Sequence, residues 1–236
     1  RLARDLPGVE GRRMLFDALV NLGAAAERIG EYDRSVDAYR EALQMPLDWM
    51  DRASHEEAVL TSLARALYYK GEFREALAVL DQAGARAALR EDPYANEYLH
   101  SMRGRCYLKV EDLSSAEHYM SLAASITNGE TRYELKPKGQ ILAGMAILRV
   151  RQHEYEEAER YARAALEIAG EVKDPHGVVE GHMALACCYR AQKRIQQAVE
   201  EAGAASRSAF EYGYVPLIQE MTWLMGCLFP QQELLL

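Results

Sequence analysis

Apolar and polar positions along the chain follow a helical period, and the smallest residues recur at fixed spacing within it. The stretch NLGAAAERIGEYDRSVDAYREAL, residues 21–43, pairs two amphipathic helical patterns across a turn that contains Gly30. Small residues stand at Gly23, Ser35 and Ala42. The trio returns as Ala64, Ala76 and Ala83, then Gly104, Ala116 and Ala123, then Ala146, Ala158 and Ala165, and finally Ala186, Ala198 and Ala205. The internal offsets are 12 and 7 residues each time, and the period runs 41, 40, 42 and 40. Spacing kept through five copies predicts a repeat architecture.

A large apolar residue follows the turn in every copy: Tyr32, Phe73, Leu113, Tyr155 and Ile195. Extending the period once more reaches Gly226, preceded by Met225, so a sixth first helix is expected before Pro230 stops it. The physical reason for the spacing is packing. Antiparallel helices joined by a short turn approach closely only where the facing side chains are small. The first small residue lets the first helix of a unit meet its own second helix, and the bulky residues fill the holes between units. No unit buries its apolar face alone, so stacking is obligatory. The expected units are about 16–56, 57–96, 97–138, 139–178 and 179–218, with a terminal helix at 216–229, all within one domain.

The motifs Leu22-Gly23, Gly30-Glu31-Tyr32, Ala42-Leu43, Leu63-Ala64, Gly71-Glu72-Phe73 and Ala76 resemble those of the tetratricopeptide repeat. The resemblance runs from about residue 14 to 229 and implies an all-α, right-handed α-α superhelix of five helix pairs plus an unpaired sixth helix. Three units depart from the pattern by placing Glu111, His153 and Lys193 where the turn glycine stands. Arg103 replaces a core leucine and Arg149 an aromatic, so locally looser packing is expected there. The period exceeds the family's 34 residues, and the linkers PLDWMD, EDPYAN, ELKPKG and KDPHG take up the excess with their Asp-Pro and Pro-x-x-Gly turn signals.

Composition sharpens this picture mainly by exclusion. Lys and Arg number 28 against 36 Asp and Glu, a formal charge of −8, which argues against a general nucleic-acid-binding face. No apolar run approaches the length of a membrane span, and no signal-peptide pattern opens the chain. Cys106, Cys187, Cys188 and Cys227 lie in apolar helical contexts and read as reduced core thiols of a cytoplasmic protein. The segment RLARDL reads as the end of a helix already under way, so the sequence is expected to be a piece of a longer chain.

Catalytic chemistry finds no support. There is no phosphate-binding glycine loop, no H-E-x-x-H and no nucleophile elbow. Cys187 and Cys188 project about 140° and about 120° to opposite sides of His182 around the helix, so the three cannot share a metal. The acidic run EYEEAER, residues 154–160, reads as a solvated helix face with acid–base pairs three and four apart. Neither enzyme activity nor a cofactor is expected.

Binding is another matter, because a helical solenoid offers an extended surface without special chemistry. The resemblance implies that the first helices line an inner groove. The inward positions of units two to four then include Ser62, Arg65, Tyr68 and Tyr69, Tyr98, Met102, Arg105 and Lys109, and Gln140, Ala143, Gly144 and Arg151. These positions carry cations and no acid, with Arg28 and Arg190 extending the stripe and Asp17, Glu27 and Glu180 diluting it. Asn21 occupies a position that holds peptide backbone in the bacterial pheromone receptors this chain resembles. The expected contacts are therefore Asn21, Arg28, Ser62, Arg65, Tyr68, Tyr98, Met102, Arg105, Lys109, Gln140, Arg151 and Arg190. Small Ala143 and Gly144 would admit a ligand backbone.

The expected partner is a protein or peptide, acidic or with a free C-terminus, and neither nucleic acid nor membrane. The family's carboxylate clamp is not carried over, since Val20 and Ala24 stand at its Lys and Asn positions. Apolar Trp223, Leu224, Met225 and Leu228 on the sixth helix are expected either to be covered by further sequence of a longer chain or to form a homodimer through the C-terminal helix. The long units and the Tyr155–Ala169 pattern point to the sensing module of a bacterial transcription regulator. A scaffold or motor adaptor of the kinesin-light-chain type is the alternative.

Overall fold

The computed structural model describes residues 8–46, 52–88, 93–126 and 132–228, with side chains left aside at 52–54, 93–95, 132–136, 220 and 223–228. Eleven α-helices and no strand occur among the described residues: α1 (Gly8–Arg28), α2 (Tyr32–Leu43), α3 (Arg52–Lys70), α4 (Phe73–Ala87), α5 (Pro93–Lys109), α6 (Leu113–Ile126), α7 (Arg132–Arg151), α8 (Tyr155–Val172), α9 (Pro175–Ala191), α10 (Ile195–Tyr212) and α11 (Val215–Leu228). The chain divides into two compact units, residues 1–110 with α1–α5 and residues 111–236 with α6–α11. RLARDL, most of PLDWMD and part of EDPYAN lie outside the described residues, as do Pro230 and the side chains of Trp223, Leu224, Met225, Cys227 and Leu228.

The small-residue register marks the tightest helix contacts. From Ser35 to Ala205, every serine or alanine of the five trios is at most 1% exposed, and Gly23 and Gly104 are buried. At Gly23 the reason is visible. A Cβ there would stand 2.7 Å from the ring of Tyr39 on α2, itself 1% exposed, so α1 and α2 close only around a glycine. The observed first helices begin at Arg52, Pro93, Arg132 and Pro175. These starts lie ahead of the boundaries drawn from the register, because small residues mark the packed middle of a helix rather than its end.

Each second helix begins on the predicted bulky residue, at Tyr32, Phe73, Leu113, Tyr155 and Ile195. In the first unit one of these residues reaches the next pair and one packs within its own. Tyr32 stacks on Tyr69 of α3 at 6.2 Å, and Phe73 meets the edge of Tyr68 at 5.6 Å. Ile195 differs, remaining 44% exposed.

The turn between the helices of a pair is a backbone device. Gly30 N–H donates to Glu27 O and Glu31 N–H to Ala26 O, and the same two bonds recur at Gly71–Glu72, His153–Glu154 and Lys193–Arg194. This closure requires a left-handed residue after the helix end. Gly30 and Gly71 adopt it at φ of 79° and 91°, while Glu111, His153 and Lys193 are held at 63°, 66° and 63°. The side chain changes but the conformation does not.

Two expectations are corrected. ELKPKG is not a linker, since α7 runs through it with Pro137 inside the helix. Proline there removes one helical hydrogen bond at a cost of about 3 kcal/mol. Burial of Ile141, Met145, Ala146 and Leu148 along the same helix offsets that loss. Nor do the two arginine replacements loosen their surroundings. Arg103 donates to Leu80 O and Asp81 Oδ1, both at 3.0 Å, in space that Gly84 leaves open on α4. Arg149 faces Glu117 at 2.8 Å, Glu154 at 3.2 Å and Glu157 at 2.7 Å, tying α7 to α6 and α8. KDPHG behaves as read: Pro175 opens α9, and Asp174 caps it by accepting from Gly177 N–H at 3.2 Å.

The left-handed turn yields a paired prediction. Lys193→Gly should raise stability by about 1 kcal/mol, whereas Gly71→Ala should lower it by about 1 kcal/mol although open space surrounds its Cβ position. Thermal melts should show opposite shifts of about 2–4 °C. Shifts of the same sign would contradict a backbone origin.

Candidate peptide-binding face

In the first unit the predicted contacts lie on α1, α3 and α5, and they divide by burial. Tyr68 is 5% exposed and Met102 6% exposed. The sequence reading places Met102 among the ligand contacts, but the structure puts it in the apolar core, where an A helix turns its wide packed stripe. Tyr68 is instead a platform. Arg105 stands 5.5 Å and Lys109 5.7 Å from its ring centroid, so two cations one helical turn apart on α5 share one aromatic face. Tyr69 and Phe73 brace that ring edge-on at 5.4 and 5.6 Å.

Arg65 holds a different place. Its Nε donates to Glu27 Oε1 at 2.8 Å, and Glu27 is 2% exposed. Burial alone would lower the Arg65 pKa, but Tyr98 and Glu27 outweigh it and hold the value above the usual arginine range. Burial first, then the Glu27 charge, raises the Tyr39 phenol nearby. Glu27 therefore does not dilute a surface stripe. It is a buried carboxylate whose partner is the central arginine of that stripe. Ser62 spends its hydroxyl on Ala58 O at 3.0 Å, while Asn21 and Arg28 are exposed on α1.

In the second unit the predicted residues are spread out. Gln140 Nε2 lies 3.4 Å from both Asp174 Oδ2 and His176 Nδ1, which joins α7 to the start of α9. Arg151 is exposed, 3.6 Å from Glu111. Arg190 is half-buried near the end of α9. Ala143 is 4% exposed and a Cβ on Gly144 would meet Met120 at 3.0 Å, so these small residues serve helix packing rather than ligand approach.

The residues that sequence reasoning missed are acids and their partners. Glu159 accepts from Arg163, Tyr189 and Arg194, with the Arg194 guanidinium 4.1 Å from the Tyr189 ring centroid. Burial would raise the Glu159 pKa, but these bonds carry it below the usual carboxylate range. Glu117 lies low as well, through its hydrogen bonds from Arg149 and Gln152. The register departure at Arg149 was the available signal. Read with acids on the preceding helix, it marks an ion pair. Burial pushes the Cys106 thiol up to about 12 and the Cys188 thiol up to about 11, which fits unreactive core thiols. His182 pairs with Glu201 at 2.7 Å, and no cluster suited to a metal occurs among the described residues.

A sequence model of the tetratricopeptide repeat matches residues 18–48. The fold is that of the tetratricopeptide repeat. No curated protein matches by sequence. Among solved structures this repeat chain is similar to a Rap protein complexed with competence and sporulation factor, at 16% identity and a TM-score of 0.76, over 95% of this chain and 66% of that one. It is also similar to BtubC (BKLC) from P. vanneervenii, at 15% identity and 0.62, over 86% and 82%. A third is a Podosopora anserina putative kinesin light chain with nearly identical TPR-like repeats, at 16% and 0.55, over 84% and 96%. At these identities the likeness is one of fold. No helix among the described residues is long and apolar enough to cross a membrane.

The buried pair generates the prediction for this face. Charge reversal at Arg65 looks harmless on a surface stripe, but here Arg65→Met strands a buried carboxylate and should cost roughly 3 kcal/mol. Arg65→Met combined with Glu27→Gln should cost clearly less than the two single losses together in urea unfolding. Additive losses would mean that the two groups do not interact.

Proposed function

We propose that this chain is a non-catalytic protein- or peptide-binding repeat domain whose first helices offer a basic face to an acidic or C-terminal segment. The observation that carries the reading is the pair Arg105 and Lys109, both held over Tyr68 on α5. An aromatic ring fixes the two cations one turn apart, a spacing suited to two carboxylates of one peptide. Arg65 lies at the same face with its charge partly committed to Glu27.

The sensing module of a bacterial transcription regulator, working in the cytoplasm, is the more specific form of this proposal. Its support is the fold likeness, over nearly the whole chain, to a Rap protein solved with competence and sporulation factor. The chain spans about two thirds of that protein, so the activity of the whole does not transfer with the fold. A scaffold or adaptor is the second reading, and the likeness to kinesin light chain repeats favours it.

The test uses fluorescence anisotropy with acidic peptides carrying free C-termini and with their amide-neutralised counterparts. Arg105→Glu with Lys109→Glu should weaken binding of the acidic peptides at least about tenfold, with little change in melting temperature. Equal affinity of wild type and variant, or equal affinity for the neutral peptides, would contradict the proposal.

A further inference from the structure

The first helices of the first unit repeat one contact with two different partners. Arg65 and Arg105 each stand one residue after the small residue of their helix, Ala64 on α3 and Gly104 on α5. Glu27 and Tyr68 each stand four residues after theirs, Gly23 on α1 and Ala64 on α3. In both copies the arginine reaches back to the aligned position of the preceding first helix. Arg65 Nε donates to Glu27 Oε1 at 2.8 Å, and the Arg105 guanidinium lies 5.5 Å from the Tyr68 ring centroid. Stacking therefore delivers a cation to the same place twice. The residue it meets there is a carboxylate in one copy and a neutral ring in the next.

The carboxylate has consequences for a ligand. Glu27 is buried while the Arg65 side chain keeps 32% of its surface, so the pair lies at the edge of the core with only its cation facing solvent. The guanidinium also bonds the Tyr98 side chain of α5, so Arg65 ties three successive first helices together. Partners from its own chain fix where the cation sits, and an anion at hydrogen-bond distance meets part of its charge. An acidic segment approaching this point meets an ion pair, whose field falls off faster than that of a lone charge.

We propose that Glu27 is an internal competitor of the ligand: by holding Arg65, it sets the affinity of the basic face for an acidic segment below what the cations alone would give. The inference rests on the peptide-binding reading and names a residue that tunes it. Glu27 acts on the ligand through Arg65, so it is a positioning residue and not a contact. An acid of this chain and an acid of the partner are alternatives for one guanidinium. Full engagement of Arg65 by a ligand would cost the buried carboxylate its cation, and that loss opposes binding.

Fluorescence anisotropy on the full chain tests it, with the same acidic peptides and their amide-neutralised counterparts. Glu27→Gln keeps the size and the acceptor oxygen that Arg65 uses but removes the charge. It should tighten binding of the acidic peptides at least about threefold and leave the neutral ones unchanged. Adding Arg65→Met to Glu27→Gln should cancel that gain, a reversal that a merely structural role of Glu27 would not produce. Should Glu27→Gln fail to fold, Glu27→Met serves, since a buried position accepts an unbranched apolar chain of similar length. Unchanged or weaker binding by the folded Glu27 variant, an equal gain for the neutral peptides, or a gain that survives Arg65→Met would overturn the inference. In those cases the peptide-binding reading still stands if Arg105→Glu with Lys109→Glu weakens binding. Wild type that binds none of the acidic peptides would overturn both.

Discussion

Close approach of paired helices through side chains no larger than alanine is the constraint on which the structure depends. Gly23 makes the point in atomic terms, because its missing Cβ is the space that the buried ring of Tyr39 occupies. Once helices are drawn together at those positions, the bulky residue after each turn and the left-handed turn itself have little freedom. The turn conformation persists at Glu111, His153 and Lys193 even though each lacks the residue that adopts it cheaply. Tertiary packing outweighs a local preference of roughly 1 kcal/mol.

Charge enters as a second layer on this frame. Arg103 and Arg149 stand where an apolar contact is expected between consecutive helices, and they join those helices by ion pairs instead. Arg65 and Glu27 extend the same device to the candidate binding face. There the cation does two things, neutralising a buried acid and contributing positive potential to the surface. Arg105 and Lys109, which rest on Tyr68, contribute to the same potential.

The helix pairs, the starts of all five second helices and the burial of the small residues were legible in the sequence, because each follows from a spacing that repeats. Pro137 misled, since a proline signals a break locally while the burial that carries α7 through it comes from other helices. The candidate site was legible only by residue type. Projection onto a helix face identified Arg65, Tyr68 and Arg105 but could not tell surface from core, as Met102 and Gly144 illustrate. Partnership was the missing information. Glu27 looks like a surface acid in sequence, and its burial depends on α3 supplying Arg65 some 38 residues later.

The most direct test compares two substitutions on one helix. Ala76 and Ala78 both lie on α4, the first with no exposed surface and the second exposed. Helix propensity is nearly the same for leucine at either place, so any difference reports packing. In urea unfolding, Ala76→Leu should cost roughly 2 kcal/mol or more through overpacking, while Ala78→Leu should change stability by less than about 0.5 kcal/mol. Equal and small effects at both positions would contradict the claim that alanine-sized contacts hold the helices together.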